Sequence, residues 1–205
     1  MFRIAAFSTS ALALSISAAA AATGVGLTDD RTLVMFDTET LEVTGTMDVE
    51  GVDRLLGIDL RPSNNTLVGV TDDMRIVTID TATGAATDLS TMDTPLEVGD
   101  MPVIVDFNPM ADRLRFMTGT TNHRVNVDTG EVTVDGSLNW VAEDENSEAS
   151  PMIAAAAYIN SYGTPEATAM YNIDSGLGAL LQQTAPNDGT LATIGMLNVE
   201  NPGEM

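Results

Sequence analysis

Two aspartates interrupt otherwise apolar runs: Asp59 in LLGIDLRP (Leu55 to Pro62) and Asp106 in VIVDFNP (Val103 to Pro109), the second followed by Asn108. A carboxylate set among aliphatic side chains is costly unless something satisfies it. Carboxylate and amide oxygens suit calcium or another divalent cation, and such a cation can activate water or polarise a carbonyl. Asp59, Asp106 and Asn108, with Asn160 of IAAAAYIN as a further oxygen donor, therefore form a candidate metal set for a cation-assisted hydrolase or lactonase. Arginine is the competing partner, because its planar fork matches a carboxylate in two places. Arg61, Arg113, Arg115 and Arg124 are the suppliers at hand. Asp59, Asp106, Asn108, Arg113, Arg115 and Arg124 are thus candidate ligand-binding residues, the alternative being that acids and arginines pair structurally.

Other chemistry is poorly supplied. The sequence has no Gly-x-Ser-x-Gly elbow and no Walker-type glycine loop. It has no cysteine and a single histidine, His123, which excludes the usual zinc sets. His123, beside Arg124, reads as a surface or half-buried structural residue. The cluster Glu143, Asp144, Glu145, Asn146 and Glu148 lacks the spacing of a calcium loop and reads as a solvated acidic segment. The methionines are scattered singly and read as core filling.

The elements that must position the acids repeat. TLVMFDT, RIVTIDT and HRVNVDT end at Thr38, Thr81 and Thr129, and a looser copy, TAMYNIDS, ends at Ser175. Their anchors Asp37, Asp80, Asp128 and Asp174 are separated by 43, 48 and 46 residues. A period of that length filled with short strands predicts a propeller or a related β-repeat. The second copy runs LLGIDLRP, TLVGVTDD, RIVTIDT and AATDLS, with turns at Ser63-Asn64-Asn65 and Thr83-Gly84; the third follows the same plan. Alternation bounded by Asn, Asp, Gly and Pro is a strand-and-turn pattern. The first copy starts at GVGLTDD, with no counterpart of LLGIDLRP ahead of it. In the fourth, Ala154 to Ala157 favours helix on propensity, yet is expected as a buried strand in the slot of LVGVT and LRFMT. The repeated aspartates themselves suit turn-forming bonds to the backbone. In such an array the first strands line a common interior, where Asp59 and Asp106 would meet.

Composition narrows the class. Residues 1–22 carry Arg3, an apolar stretch and an alanine run, the pattern of an export signal. Residues 23–200 are expected to form one β-propeller-like domain and 201–205 a short tail, which places the protein in the periplasm or outside the cell. Net charge is −22, and all eight basic residues are arginine. Such a surface repels nucleic acid and anionic membrane, and no later stretch has the ~20 apolar residues of a membrane span. The acid excess suits a salt-rich medium that screens self-repulsion.

The segments GLTDDRTLVMFDT, LLGIDLRPSNNTLVGV, VDFNPMADRLRFMT, NHRVNVDTG and PNDGTLATIG resemble the bacterial family named domain of unknown function 4394, from Gly26 to about Val199. The resemblance implies an exported propeller-like fold and says little about activity. Family members typically continue into a further repeat with its own "GFDI" strand, whereas this sequence ends at Met205. Either the ring closes with fewer strands, or an open edge pairs with another molecule through TLATIGMLNV. The expectation is an all-β array of four short antiparallel repeats. It would serve as a binding or interaction module for a partner protein or small polar ligand held by loops or channel, rather than as an enzyme.

Overall fold

The computed structural model describes residues 22–199. The expected signal (save Ala22) and tail lie outside the described residues. Sixteen strands form four small sheets, the blades of a four-bladed propeller. Blade 1 holds β1 (Thr23–Thr28), β2 (Thr32–Asp37) and β3 (Val43–Asp48); blade 2 holds β4 (Leu55–Arg61), β5 (Thr66–Thr71), β6 (Arg75–Ile79) and β7 (Ala86–Thr91). Blade 3 holds β8 (Val103–Asn108), β9 (Arg113–Thr118), β10 (Thr121–Val125) and β11 (Val132–Val134). Blade 4 runs from β13 (Ile153–Tyr158) through β14 (Met170–Asp174) and β15 (Ala179–Ala185) to β16 (Thr190–Met196). The short β12 (Asn139–Trp140) is added in parallel along β16. Within the blades every pairing is otherwise an antiparallel meander of neighbours in sequence. Among the described residues no helix is long and apolar enough to cross a membrane.

Burial explains why the middle strands are apolar throughout. β5 and β9 are covered on both faces, because blades 2 and 3 each lie between two others, so their side chains alternate between seams. Leu67 joins Leu33, Val49 and Leu55 between blades 1 and 2, whereas Val68 and Val70 join Phe107, Leu114 and Phe116 between blades 2 and 3. A third cluster, with Met117, Ile153, Met170, Leu181 and Leu191, fills the seam between blades 3 and 4. Each fully buried aliphatic or aromatic side chain there contributes roughly 1.5–3 kcal/mol. The interior is therefore three parallel seams rather than one central core.

Several expectations are corrected in detail. The six-residue turn of Asp80 to Ala85, closed by bonds between Asp80 and both Gly84 and Ala85, is matched in blade 3 by Asn126 to Glu131. The third anchor is thus Asn126 and not Asp128, which lies two residues further on. Gly84 and Gly130 hold φ near +77 and +78, and a Cβ on Gly130 would collide with the Thr91 carbonyl. Asp174 ends β14, the second strand of its blade, so TAMYNIDS is not a structural copy of the third-strand segments. β13 takes the innermost slot of LLGIDLRP, not that of LVGVT, and Ala155 and Ala157 are exposed. Among the described residues blade 1 has three strands and no counterpart of β4.

Inner strands meet in succession, β4 against β8 and β8 against β13. Gly57 shows how closely: a Cβ there would lie 2.6 Å from Val105 Cγ2 and 2.9 Å from Val105 Cβ. Gly57→Ala is expected to lose about 1–3 kcal/mol by overpacking, whereas Gly99→Ala, with open space around it, should change little. Denaturant melts of the two variants check this; equal stability would contradict the close approach.

Candidate functional site

On β4, residues 57, 59 and 61 present one face to blade 3, and on β8 residues 104, 106 and 108 present the corresponding face to blade 4. Asp59 accepts a 2.6 Å bond from the Phe107 N–H through Oδ2, and a 2.8 Å bond from its neighbour Leu60 through Oδ1. Asp106 repeats the move one blade on, accepting from the Tyr158 N–H at 2.7 Å through Oδ2. β8 and β13 are innermost strands, so these N–H groups point away from their own sheets and have no ladder partner. A preceding carboxylate satisfies each of them. Burial pushes the Asp59 carboxyl up to about 6, against the pull of its two backbone donors. Asp106 is pushed up to about 8, by burial first and by the Asp59 charge second. Near neutrality the Asp59 charge thus adds to burial in disfavouring ionisation of Asp106.

The expected pairing of these acids with arginine does not occur; among the described residues neither carboxylate forms a salt bridge. Backbone donors took the place of guanidinium groups. Arg61, 9 % exposed, reaches forward to Asp112 at 2.6 and 2.9 Å and to Asp128 at 2.7 and 2.8 Å, clamping blade 2 on blade 3. Its bonds hold both carboxyls below the usual range and raise its own pKa. Arg115, 1 % exposed, bonds Asn122 and Asp135 with one nitrogen, and Tyr158 Oη and Asn187 with the other. Arg124 forks onto the same Asp135 from the partly exposed side. Arg113 bonds only the carbonyls of Ala111 and Asp112. The arginines thus divide among separate seams and turns, and none of them bonds either acid of the pair, although Arg115 stands directly across the ladder from Asp106.

The remaining candidates are likewise dispersed. Asn108 Oδ1 caps the β8–β9 turn at the N–H groups of Met110 and Ala111. Asn160, at φ +60, donates to the Ala167 carbonyl across its loop. Among the described residues no three His, Cys, Asp or Glu side chains converge as metal ligands. His123 is buried at 3 % exposure, not half-buried, and burial lowers its pKa. Asp144 ties its acidic loop to β16 by accepting from the Thr193 N–H and hydroxyl. The largest cavity, about 580 Å³, opens at the starts of β4 and β8 beside Asp29, Asp30, Arg54 and Asp100. It is not where the acids lie. Asp59 instead lines an opening of about 200 Å³ with Thr23, Val25, Leu60 and Thr81.

Sequence reading missed Asp112, Asp128 and Asp135 as arginine acceptors and Tyr158 as the partner of Asp106. Counting back four residues from Gly84 and Gly130 would have separated Asn126, the turn former, from Asp128, the clamp. Nothing in the sequence marks Phe107 or Tyr158, since what they contribute is an N–H.

The family described as Domain of unknown function (DUF4394) matches residues 32–205. No curated protein matches the chain. A crystal structure of an auxiliary nutrient binding protein from Bacteroides thetaiotaomicron is similar at 14% identity and a TM-score of 0.50, covering 80% of this chain and 41% of that one. A protein of unknown function from the same organism is similar at 16% identity and 0.47, with coverages of 82% and 42%. An auxiliary nutrient binding protein from Bacteroides ovatus gives 14% and 0.48, with 78% and 40%. The chain spans about two-fifths of the length of these structures. At 14% identity the likeness to the structure with the TM-score of 0.50 is one of fold alone.

Two measurements follow from this geometry. An acid whose pKa is raised on folding contributes its full stability below the unfolded value near 4 and loses it as pH rises through the folded value. The stability of the protein relative to its Asp106→Asn variant should therefore fall between about pH 4 and pH 8, by on the order of a few kcal/mol. A pH-independent difference in urea melts would contradict the burial of Asp106. Arg61→Ala leaves Asp112 and Asp128 without their partner; because both acids are partly exposed, the loss should be about 1–3 kcal/mol, read from the same melts.

Proposed function

The chain belongs to the family described as Domain of unknown function (DUF4394), and we propose that it is an exported binding module whose inner-strand acids, Asp59 and Asp106, take a small polar ligand. The module would work in the periplasm or outside the cell, in keeping with the leader-like residues 1–22 and the cysteine-free, strongly acidic sequence. One observation carries the reading. Asp106 spends Oδ2 on Tyr158, while its Oδ1 accepts no hydrogen bond from the described residues, beside a second acid that no arginine neutralises. A structural acid would ordinarily be paired. Together the two carboxyls present acceptor oxygens and a proton that a cation can displace, which suits a ligand bearing positive charge or several hydrogen-bond donors.

The hydrolase alternative needs Asp59, Asp106, Asn108 and Asn160 to converge on one ion. Asn108 and Asn160 are each engaged in their own turn or loop, so binding without turnover is the reading the geometry favours.

Calorimetric titration with calcium, zinc and a set of small aliphatic amines tests it. At least one probe should bind saturably and release a proton as Asp106 ionises, seen as heats that depend on the buffer. At a hundredfold excess over Kd it should add about 2.7 kcal/mol of stability. Absence of saturable binding, or binding undiminished in Asp59→Asn with Asp106→Asn, would refute the proposal.

A further inference from the structure

Arg61 and Asn108 stand at the same register of successive inner strands, two residues after Asp59 and Asp106 respectively. In the seam between blades 2 and 3 the Arg61 guanidinium fills this level and locks onto two carboxylates. In the seam between blades 3 and 4 the shorter, neutral Asn108 leaves a cleft of about 250 Å³ instead. We propose that this cleft is a binding site for a neutral polyhydroxylated ligand, a short saccharide or a polyol of that size.

The chemistry of the walls supports the assignment. None of the residues lining the cleft is charged, so it offers nothing specific to a cation, and a chain of net charge −22 disfavours an anion. Asn108 Oδ1 is already committed to its turn, which directs the amide Nδ2 outward as a free donor. Tyr158, 5 % exposed, accepts from Arg115 through its hydroxyl oxygen, leaving the hydroxyl proton to donate. Met170 and Pro186 add apolar surface against which the C–H face of a sugar ring can rest.

The walls are also held in place before any ligand arrives. Gln183, 2 % exposed, accepts from Asn172 and donates to the Pro186 carbonyl, while Asn122 donates to the same carbonyl from blade 3. A site fixed by such supporting bonds loses little entropy on binding. The cleft shares Asn108 and Pro186 with a second opening of about 440 Å³ that reaches Asn187 and Asp188. A ligand longer than one ring can therefore extend along the seam.

Saturation-transfer NMR on the full chain with a panel of neutral mono- and disaccharides and acyclic polyols tests the site. At least one member should bind saturably. Asn108→Ala and Tyr158→Phe should each weaken it about three- to tenfold, the range of one or two lost hydrogen bonds. Asp59→Asn, at the other seam, should leave it unchanged, which separates this cleft from the acid site proposed above. Asn108→Ala also removes a turn cap, so Tyr158→Phe, which keeps the ring and the backbone tie to Asp106, is the cleaner variant. Lack of binding by every panel member, or binding indifferent to Tyr158→Phe, would overturn the proposal.

Discussion

An unpaired N–H on the inner edge of a blade is the constraint around which this propeller is organised. Every antiparallel meander leaves its first strand with one row of backbone groups facing no partner. Here the groups of Phe107 and Tyr158 are met by Asp59 and Asp106 of the preceding blades. An acid among apolar residues is otherwise hard to justify, since burial raises both carboxyls well above their ordinary range. The cost of desolvation and the need for an acceptor offset each other, and the residue type follows from that balance.

Around this tie two of the three seams have their own arginine lock. Blades 2 and 3 are closed by Arg61 with Asp112 and Asp128, through four short bonds. Blades 3 and 4 are closed by Arg115, whose guanidinium gathers Asn122, Asp135, Tyr158 and Asn187. Lysine could not replace either arginine, because a single ammonium lacks the planar fork that meets two carboxylates at Arg61 and a carboxylate, two amides and a phenol at Arg115. Differences between the locks, more than the repeated strands, decide where space remains for a ligand.

The fold was legible because it rests on local signals. Strand alternation, turn residues and a near-regular spacing, 43 residues from Asp37 to Asp80 and 46 from Asp80 to Asn126, all survive in the sequence. The site was legible only in part. Asp59 and Asp106 stood out as charges in apolar runs, but their partners are backbone groups, which every residue but proline carries. Arg61 finds its acceptors 51 and 67 residues further on, inside turns whose aspartates look like ordinary turn formers. The alanine run of β13 misled for a physical reason: small side chains leave no alternation to show which slot a strand fills.

The acid ties have a direction: each carboxylate reaches toward the blade that follows it in the chain. As the polypeptide is synthesised, blade 2 emerges before the residues around Phe107 exist. Until then Asp59 stands hydrated and ionised on an exposed strand edge, where a charge discourages pairing with a stray segment. Arrival of the next blade supplies the N–H, expels the water and converts a guard against premature association into a permanent fastening.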